Sequence, residues 1–420
     1  MRRVIETLVG FAILTGIVIG ITALTPAELP RVTTVEAIRS TKVVCVPAAA
    51  GATVMVDSTT TVTPLGGATT QTNRAVLTGQ ETSVVAEGTD DPMGSTIAGT
   101  GGVRTLTQCV KPASRGVIAL PATADTQLKI VNPDASEAAI DLTLYGAEGE
   151  IQSLGARGIT LAAYEERAIA LSVLTKKATP VGVSFQASRG RAAVMAITQT
   201  QSSGTAAGPS QLGTSHLLPG IPAGATSSVV VLANPGETRI TANLTAYGTT
   251  PAYHPQGGEN ISVPPHASVS VSLENALLGE ASAIQVNSDA PVMAGMAFTL
   301  GDSAQVAPVA AGTSLGAFTP AGGTLQLTNP GELDMQATVT ATGADGAEER
   351  TTVTVGAGQT VVHKVPTATE QGQRIVVNSD QPLFGAVVSA GDTGSWVAPL
   401  ESMTGGETPP LAAELDPGLH

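Results

Sequence analysis

The chain has 420 residues, a net charge of −14 from 20 Lys and Arg against 34 Asp and Glu, and only 2% aromatic residues. That charge balance opposes electrostatic binding to nucleic acid or to anionic lipid faces. The length suits about two to four domains. With 47 Gly and 27 Pro, their cores must be built from Val, Ala, Leu and Ile between many turns.

In chain order, residues 1–31 are expected to form a cytoplasmic stub, a membrane anchor and a linker. Met1-Arg2-Arg3 precedes an uncharged stretch from Leu8 to Leu24, which with its apolar flank reaches the roughly 20 residues a bilayer requires. Arg2 and Arg3 hold the start in the cytoplasm, which places the bulk of the chain outside the membrane. The competing reading is a cleaved signal peptide and a secreted product, although Thr25-Pro26-Ala27 is a poor cleavage pattern. Ala12, Gly16 and Gly20 fall on one helix face, where small residues let two helices pair into a homodimer. Gly and Ala are common in such segments, so chance gives the same pattern.

Residues 32–116 read as a divergent β module holding both cysteines, Cys45 and Cys109. In an exported protein they are expected to pair, closing a loop worth about 4 kcal/mol in chain entropy; two buried thiols are the alternative. The stretch GTDDPMGSTIAGTGG, Gly88 to Gly102, reads as a long loop.

Beyond it, an apolar strand three times runs into Asn-Pro and restarts as an alternating strand. The turns are Asn132-Pro133, Asn234-Pro235 and Asn329-Pro330, with a Thr eleven residues and a Gly fourteen residues after each Asn. A period of about one hundred residues marks tandem domains, here 117–212, 213–311 and 312–403, with 404–420 a disordered tail. Each unit offers short runs rich in Val, Ile and Thr, as in Ile240, Ala242, Leu244 and Ala246, whose alternation predicts antiparallel strands with one buried face. The expected fold is therefore all-β: tandem immunoglobulin-like β-sandwich modules after one N-terminal transmembrane helix. Asn-Ser-Asp at 287–289 and 378–380, each soon followed by Pro, reads as a hairpin turn.

The order of VVC at 43–45, LPGIPAGATSSVVVLANPG at 218–236, the LTLYG and LTAYG strands and SDAPVMA at 288–294 resembles an actinobacterial family of unknown function. Its members are membrane-anchored, repeat-built envelope proteins. The resemblance implies a location in the cell envelope and transfers no catalytic or ligand residue.

Motifs that carry chemistry are few. Gly312-Thr313-Ser314-Leu315-Gly316 matches the G-x-S-x-G nucleophile pattern, but no helix can start after it, and Gly213-Thr214-Ser215 fills the same junction one repeat earlier. His216, His254, His266, His363 and His420 form no pair at metal spacing. Asp90, Asp91, Asp302 and Asp392 lack the alternating ligand series of a calcium loop. A glycan platform would need exposed rings. Tyr145 and Tyr247 share a repeat position but are better read as covering a sandwich edge, and Trp396 is the sole Trp. These patterns predict a non-enzymatic chain without cofactor or metal. It would be a single-pass envelope scaffold or stalk whose partners are envelope proteins or cell-wall polymer, not nucleic acid. The alternatives are a glycan-binding module and an accessory subunit of an envelope biosynthesis enzyme.

Overall fold

The computed structural model describes residues 41–403 except 58–60, 72–73, 89–91, 100–104, 122–123, 176–179, 200–203, 321, 344–345, 366–371 and 392–393. The predicted span at 8–24, its dimer face Ala12, Gly16 and Gly20, and the tail 404–420 lie outside the described residues. Among those described, no helix is long and apolar enough to cross a membrane.

The chain is all-β. Its first lobe holds β1 (Thr41–Cys45), β2 (Ala52–Asp57), β3 (Thr61–Pro64), β4 (Thr70–Gln71), β5 (Arg74–Gln80), β6 (Val84–Gly88), β7 (Gly94–Ala98) and β8 (Thr105–Gln108). The second has β9 (Arg115–Leu120), β10 (Thr126–Val131), β11 (Ala138–Gly146), β12 (Gly149–Ile151), β13 (Ile159–Leu161), β14 (Glu166–Ala170), β15 (Val181–Arg189), β16 (Ala193–Gln199) and β17 (Gly204–Ala207). The third comprises β18 (Gly213–Ile221), β19 (Ser227–Ala233), β20 (Ile240–Tyr247), β21 (Ile261–Val263), β22 (Ser268–Ser272), β23 (Ser282–Leu300) and β24 (Asp302–Val306). The fourth has β25 (Gly312–Thr319), β26 (Thr324–Thr328), β27 (Met335–Gly343), β28 (Glu348–Val355), β29 (Thr360–Lys364), β30 (Gln373–Ser389), β31 (Trp396–Pro399) and β32 (Glu401–Ser402).

One topology recurs four times. In the first lobe the sheets are β1-β6-β3-β4 and β5-β2-β7-β8, all antiparallel. The second lobe repeats them as β9-β15-β11-β13 and β14-β10-β16-β17. In the third and fourth lobes the sixth and seventh strands fuse into β23 and β30, each pairing in both sheets of its lobe. An immunoglobulin domain keeps its third, sixth and seventh strands in one sheet. Here the seventh strand crosses to the other sheet, because the chain turns a corner instead of a hairpin. That corrects the reading of the Asn-Ser-Asp segments. Ser288 Oγ donates to Ala290 O at 2.8 Å and Ser379 Oγ to Gln381 O at 2.7 Å, holding a bend within a continuous strand.

The sequence shows three repeats, and the first lobe is a fourth copy. The stretch read as a loop at 88–102 contains β7, the lobe's seventh strand. Its period is hidden because inward positions carry hydroxyls: Thr96 and Thr107 bond each other, and Thr107 Oγ1 donates to Val46 O at 2.7 Å.

Each pair of sheets encloses its own apolar cluster. Ile240, Ala242, Leu244 and Ala246 all enter the third lobe's core, as their alternation predicts. The first lobe has the smallest core, and the Cys45–Cys109 disulfide crosses it. The lobes also pack on one another in a cycle. Val44, Val46 and Val85 meet Val131, Met195 and Ile197 at the first seam. Val117 and Tyr145 meet Val231 and Met293 at the second, and Tyr247 meets Phe384 at the third. Leu106 of the first lobe joins the core of the fourth, which closes the ring.

Candidate functional site

The last strands of the four lobes, β8, β17, β24 and β31, lie against one another in a closed circuit around an axis. Pairing register makes Thr107, Ala207, Val306 and Ala398 equivalent, each standing across the seventh strand from Val54, Leu128, Val230 or Leu325 of the second. Three residues on, Val110, Ser210, Val309 and Glu401 each bridge back to their own lobe's first strand. The circuit is stitched by polar bonds. Thr105 Oγ1 accepts from Gly204 N at 2.9 Å, Thr205 Oγ1 accepts from Gln305 N at 2.7 Å, and Gln108 Nε2 donates to Pro399 O.

A cavity of about 400 Å³ opens on this axis, and equivalent residues of all four lobes line it: Leu106, Ala206, Gln305 and Val397, then Gln108, Gly208, Ala307 and Pro399. Lys111, Arg115 and Glu401 stand among its other lining residues. Cys109 also lines it, but its sulfur is in the disulfide and is no nucleophile. The amides of Gln108, Gln211 and Gln305 on this largely apolar lining can bind a small molecule.

The Asn-Pro turns hold corners. Asn132, Asn234 and Asn329 are fully buried. Each Nδ2 donates to the carbonyl four residues on, at 2.7, 2.7 and 2.8 Å to Ser136, Thr238 and Leu333. Each also reaches the chain where the fourth strand ends, at Ala162, Val263 and Val355. Each Oδ1 accepts the N–H two residues on, from Asp134, Gly236 and Gly331. Pro133, Pro235 and Pro330 fix φ inside these Asx turns.

Other sequence candidates disperse. Ser314 lies mid-strand in β25, its carbonyl accepting from Met403 N at 2.9 Å. His216 is buried with Nε2 2.8 Å from Val292 O, and burial lowers its pKa against the pull of the two carbonyls it faces. His254 bonds Leu244 O, and His266 sits 3.0 Å from Glu237. Asp302 accepts from Ser303 N at 2.8 Å, whereas Asp90, Asp91, Asp392 and His420 lie outside the described residues. Among the described residues no group of three His, Cys, Asp or Glu side chains could hold a metal ion. Tyr145, Tyr247 and Trp396 are all buried, the two tyrosines in seams and the tryptophan in the fourth lobe's core.

The first seam holds an ionic cluster that sequence reasoning missed. Asp134 follows Asn132 by two, where the other copies carry Gly236 and Gly331. It takes Lys42 Nζ at 2.8 Å and Arg191 Nε at 2.8 Å. Burial pushes its carboxyl up, but the hydrogen bonds from Arg191 and Lys42 outweigh that and hold it below the ordinary range. Lys42 is raised: burial opposes its charge, and Asp134 and Glu87 more than restore it. Beside them Glu166 pairs with Lys129 at 2.9 Å and accepts from Ser83 Oγ across the seam at 2.6 Å. Its pKa is lowered, with burial again overcome by Ser83 and Lys129.

A two-layer all-β protein of four topologically identical lobes is thus the class defined by the fold. The chain belongs to a family of unknown function, DUF5719, whose profile matches residues 94–366. No curated protein matches it. Among solved structures it has a match in the crystal structure of a tetra-tandem repeat in the extending region of a large adhesion protein. That match has 12% identity and covers 87% of this chain and all of the other, with a TM-score of 0.10, too low to indicate a shared fold.

Proposed function

We propose that the chain is a membrane-anchored, extracytoplasmic scaffold of the cell envelope, its lobes acting as tandem β-sandwich modules. They are immunoglobulin-like in having two layers and depart from that family in strand order. One observation supports the reading above others: each lobe docks on two neighbours through buried apolar surface, so the four make one ring-shaped platform. Such a body presents fixed outer faces and strand edges to partner proteins, the surfaces on which β-domains recognise one another. A closed ring favours a compact platform over an extended stalk.

The test uses the full chain expressed in cells. Expected outcomes are retention in the membrane pellet after carbonate washing and digestion by protease added to intact spheroplasts. Photo-crosslinkers placed on outer-face positions such as Val173 and Leu333, both exposed, should yield discrete protein adducts. A soluble, protease-protected chain, or crosslinking to no defined protein, overturns the proposal.

A further inference from the structure

Between the first and second lobes lies a groove of about 730 Å³, within the range of about 300–1,000 Å³ usual for small-molecule sites. One wall comes from the β3–β4 hairpin, with Thr61, Thr63 and Thr69 and the turn Pro64 to Gly67. Tyr164 stands on the other side. Tyr164 is 47% exposed, the one exposed Phe, Tyr or Trp side chain among the described residues.

Its backbone is informative. Tyr164 has φ of 56°, in the left-handed region that disfavours any residue with a Cβ. The turn recurs in the other copies: the backbone N–H of Tyr164, His266 and Gly358 donates to Asp134, Gly236 and Gly331, two residues beyond each repeat Asn. The fourth lobe uses glycine there, the unstrained choice at φ of 64°. The third lobe uses His266, whose ring stacks on Tyr145 across the next seam at 6.4 Å. In the second lobe a strained aromatic residue is kept, and its ring faces a groove. Strain retained at an exposed ring points to a ligand.

The groove's chemistry narrows the class. Lys42 is engaged by Asp134 at 2.8 Å and Glu87 at 3.5 Å, so among the described lining residues the floor's charge is internally matched and an anionic ligand meets no unpaired cation. The other polar wall is hydroxyl: Thr63 Oγ1 and Thr69 Oγ1 lie 2.9 Å apart, each able to donate and accept. A ligand rich in hydroxyls with apolar C–H faces fits both walls. We propose that this groove binds a short run of neutral sugar rings, stacked on Tyr164 and hydrogen-bonded by Thr61, Thr63 and Thr69. The site goes beyond the scaffold reading and stands or falls separately from it.

The test is saturation-transfer NMR and calorimetry on the full chain in detergent, with maltotriose, cellotriose, mannotriose and N-acetylchitotriose as neutral probes and inorganic phosphate as the charged one. Saturable binding of at least one trisaccharide is expected, with transfer to its ring protons. Tyr164→Gly removes the ring at a position where glycine is unstrained, so the melting temperature should hold or rise while affinity falls about tenfold or more. Thr63→Val should weaken binding several-fold. No saturable binding of any trisaccharide up to about 10 mM, unchanged affinity in Tyr164→Gly, or tighter binding of phosphate than of sugar each overturns the proposal. Protein crosslinks from the outer faces should be the same in Tyr164→Gly, which separates failure of this site from failure of the scaffold.

Discussion

Two seams of this ring solve the same packing problem with different chemistry. Between the second and third lobes, Tyr145, Val117, Ala119, Val231 and Met293 meet as rings and methyl groups, and the backbones approach closely. A Cβ on Gly295 would stand 2.2 Å from Ala119 O. Between the first and second lobes an apolar patch is flanked by Lys42, Asp134, Arg191, Lys129 and Glu166. Three of the four lobes share the buried Asn turn, whereas the residues that face a neighbour differ from seam to seam. Among the described residues, the first seam adds a groove with a strained, exposed ring.

The largest expected effect removes the staple of the lobe on which the ionic seam depends. Cys45→Ala with Cys109→Ala should cost about 4 kcal/mol, from a crosslink between residues 64 apart in sequence. Hydrogen exchange should accelerate first in β1, β6 and β8. If β19 and β20 open equally early, the lobes are not independent in the way the seams imply. Next, Gly295→Val should cost about 3 kcal/mol by forcing a side chain into the Ala119 carbonyl, read by thermal melting. A cost below about 1 kcal/mol would mean that this seam gives way easily.

Asp134→Ala leaves Lys42 and Arg191 facing each other without their shared carboxylate, and about 2 kcal/mol should be lost. The pH dependence of this seam follows from the same groups. Asp134 and Glu166 have lowered pKa values, so their contribution is complete above the ordinary carboxylate range and is lost as pH falls through their folded values. Lys42 has a raised pKa, so its contribution is complete below the ordinary lysine range and is lost as pH climbs through the folded value. Exchange protection of β1 should therefore decline on acidification before that of β19, and Asp134→Ala should flatten the difference. The smallest effect concerns the third seam. Tyr247→Phe gives up one hydrogen bond, from its OH to Gln285 Oε1 at 2.6 Å, while keeping the ring on Phe384, for about 1 kcal/mol in chemical denaturation.

What was legible in the sequence was local. Asn132, Asn234 and Asn329 stand out because an Asx turn needs that residue at that corner, and β11, β20 and β27 show their buried faces by alternation along most of their length. The first lobe escaped because its second strand ends without Asn-Pro and its inner strands face the core with Thr96 and Thr107. Asn-Ser-Asp was misread because a hairpin and a sheet-crossing corner use the same turn chemistry, and only partner strands tell them apart. The axis was invisible for a related reason. LTQC at 106–109, AAGP at 206–209, QVAP at 305–308 and VAPL at 397–400 share a register on neighbouring strands but few side chains. Tyr145 and Tyr247 were recognisable as one repeat position, yet their burial depends on lobe docking, which no single repeat encodes. Asp134 gave one faint signal, as the charged exception at a glycine position.

Closure of the ring also sets an order of assembly. The bond from Gln108 to Pro399 joins residues 291 apart, whereas each lobe is a continuous segment able to collapse as it emerges. The circuit can be completed only by β31, which is made after the other three lobes. Until then β8 and β24 present open inner edges, the kind of unpaired strand that recruits other chains. A ribosome that stops short of residue 396 releases a product with every lobe but one intact and two sticky edges facing a gap. For this molecule, completing the circuit is itself a condition of leaving no such edge open.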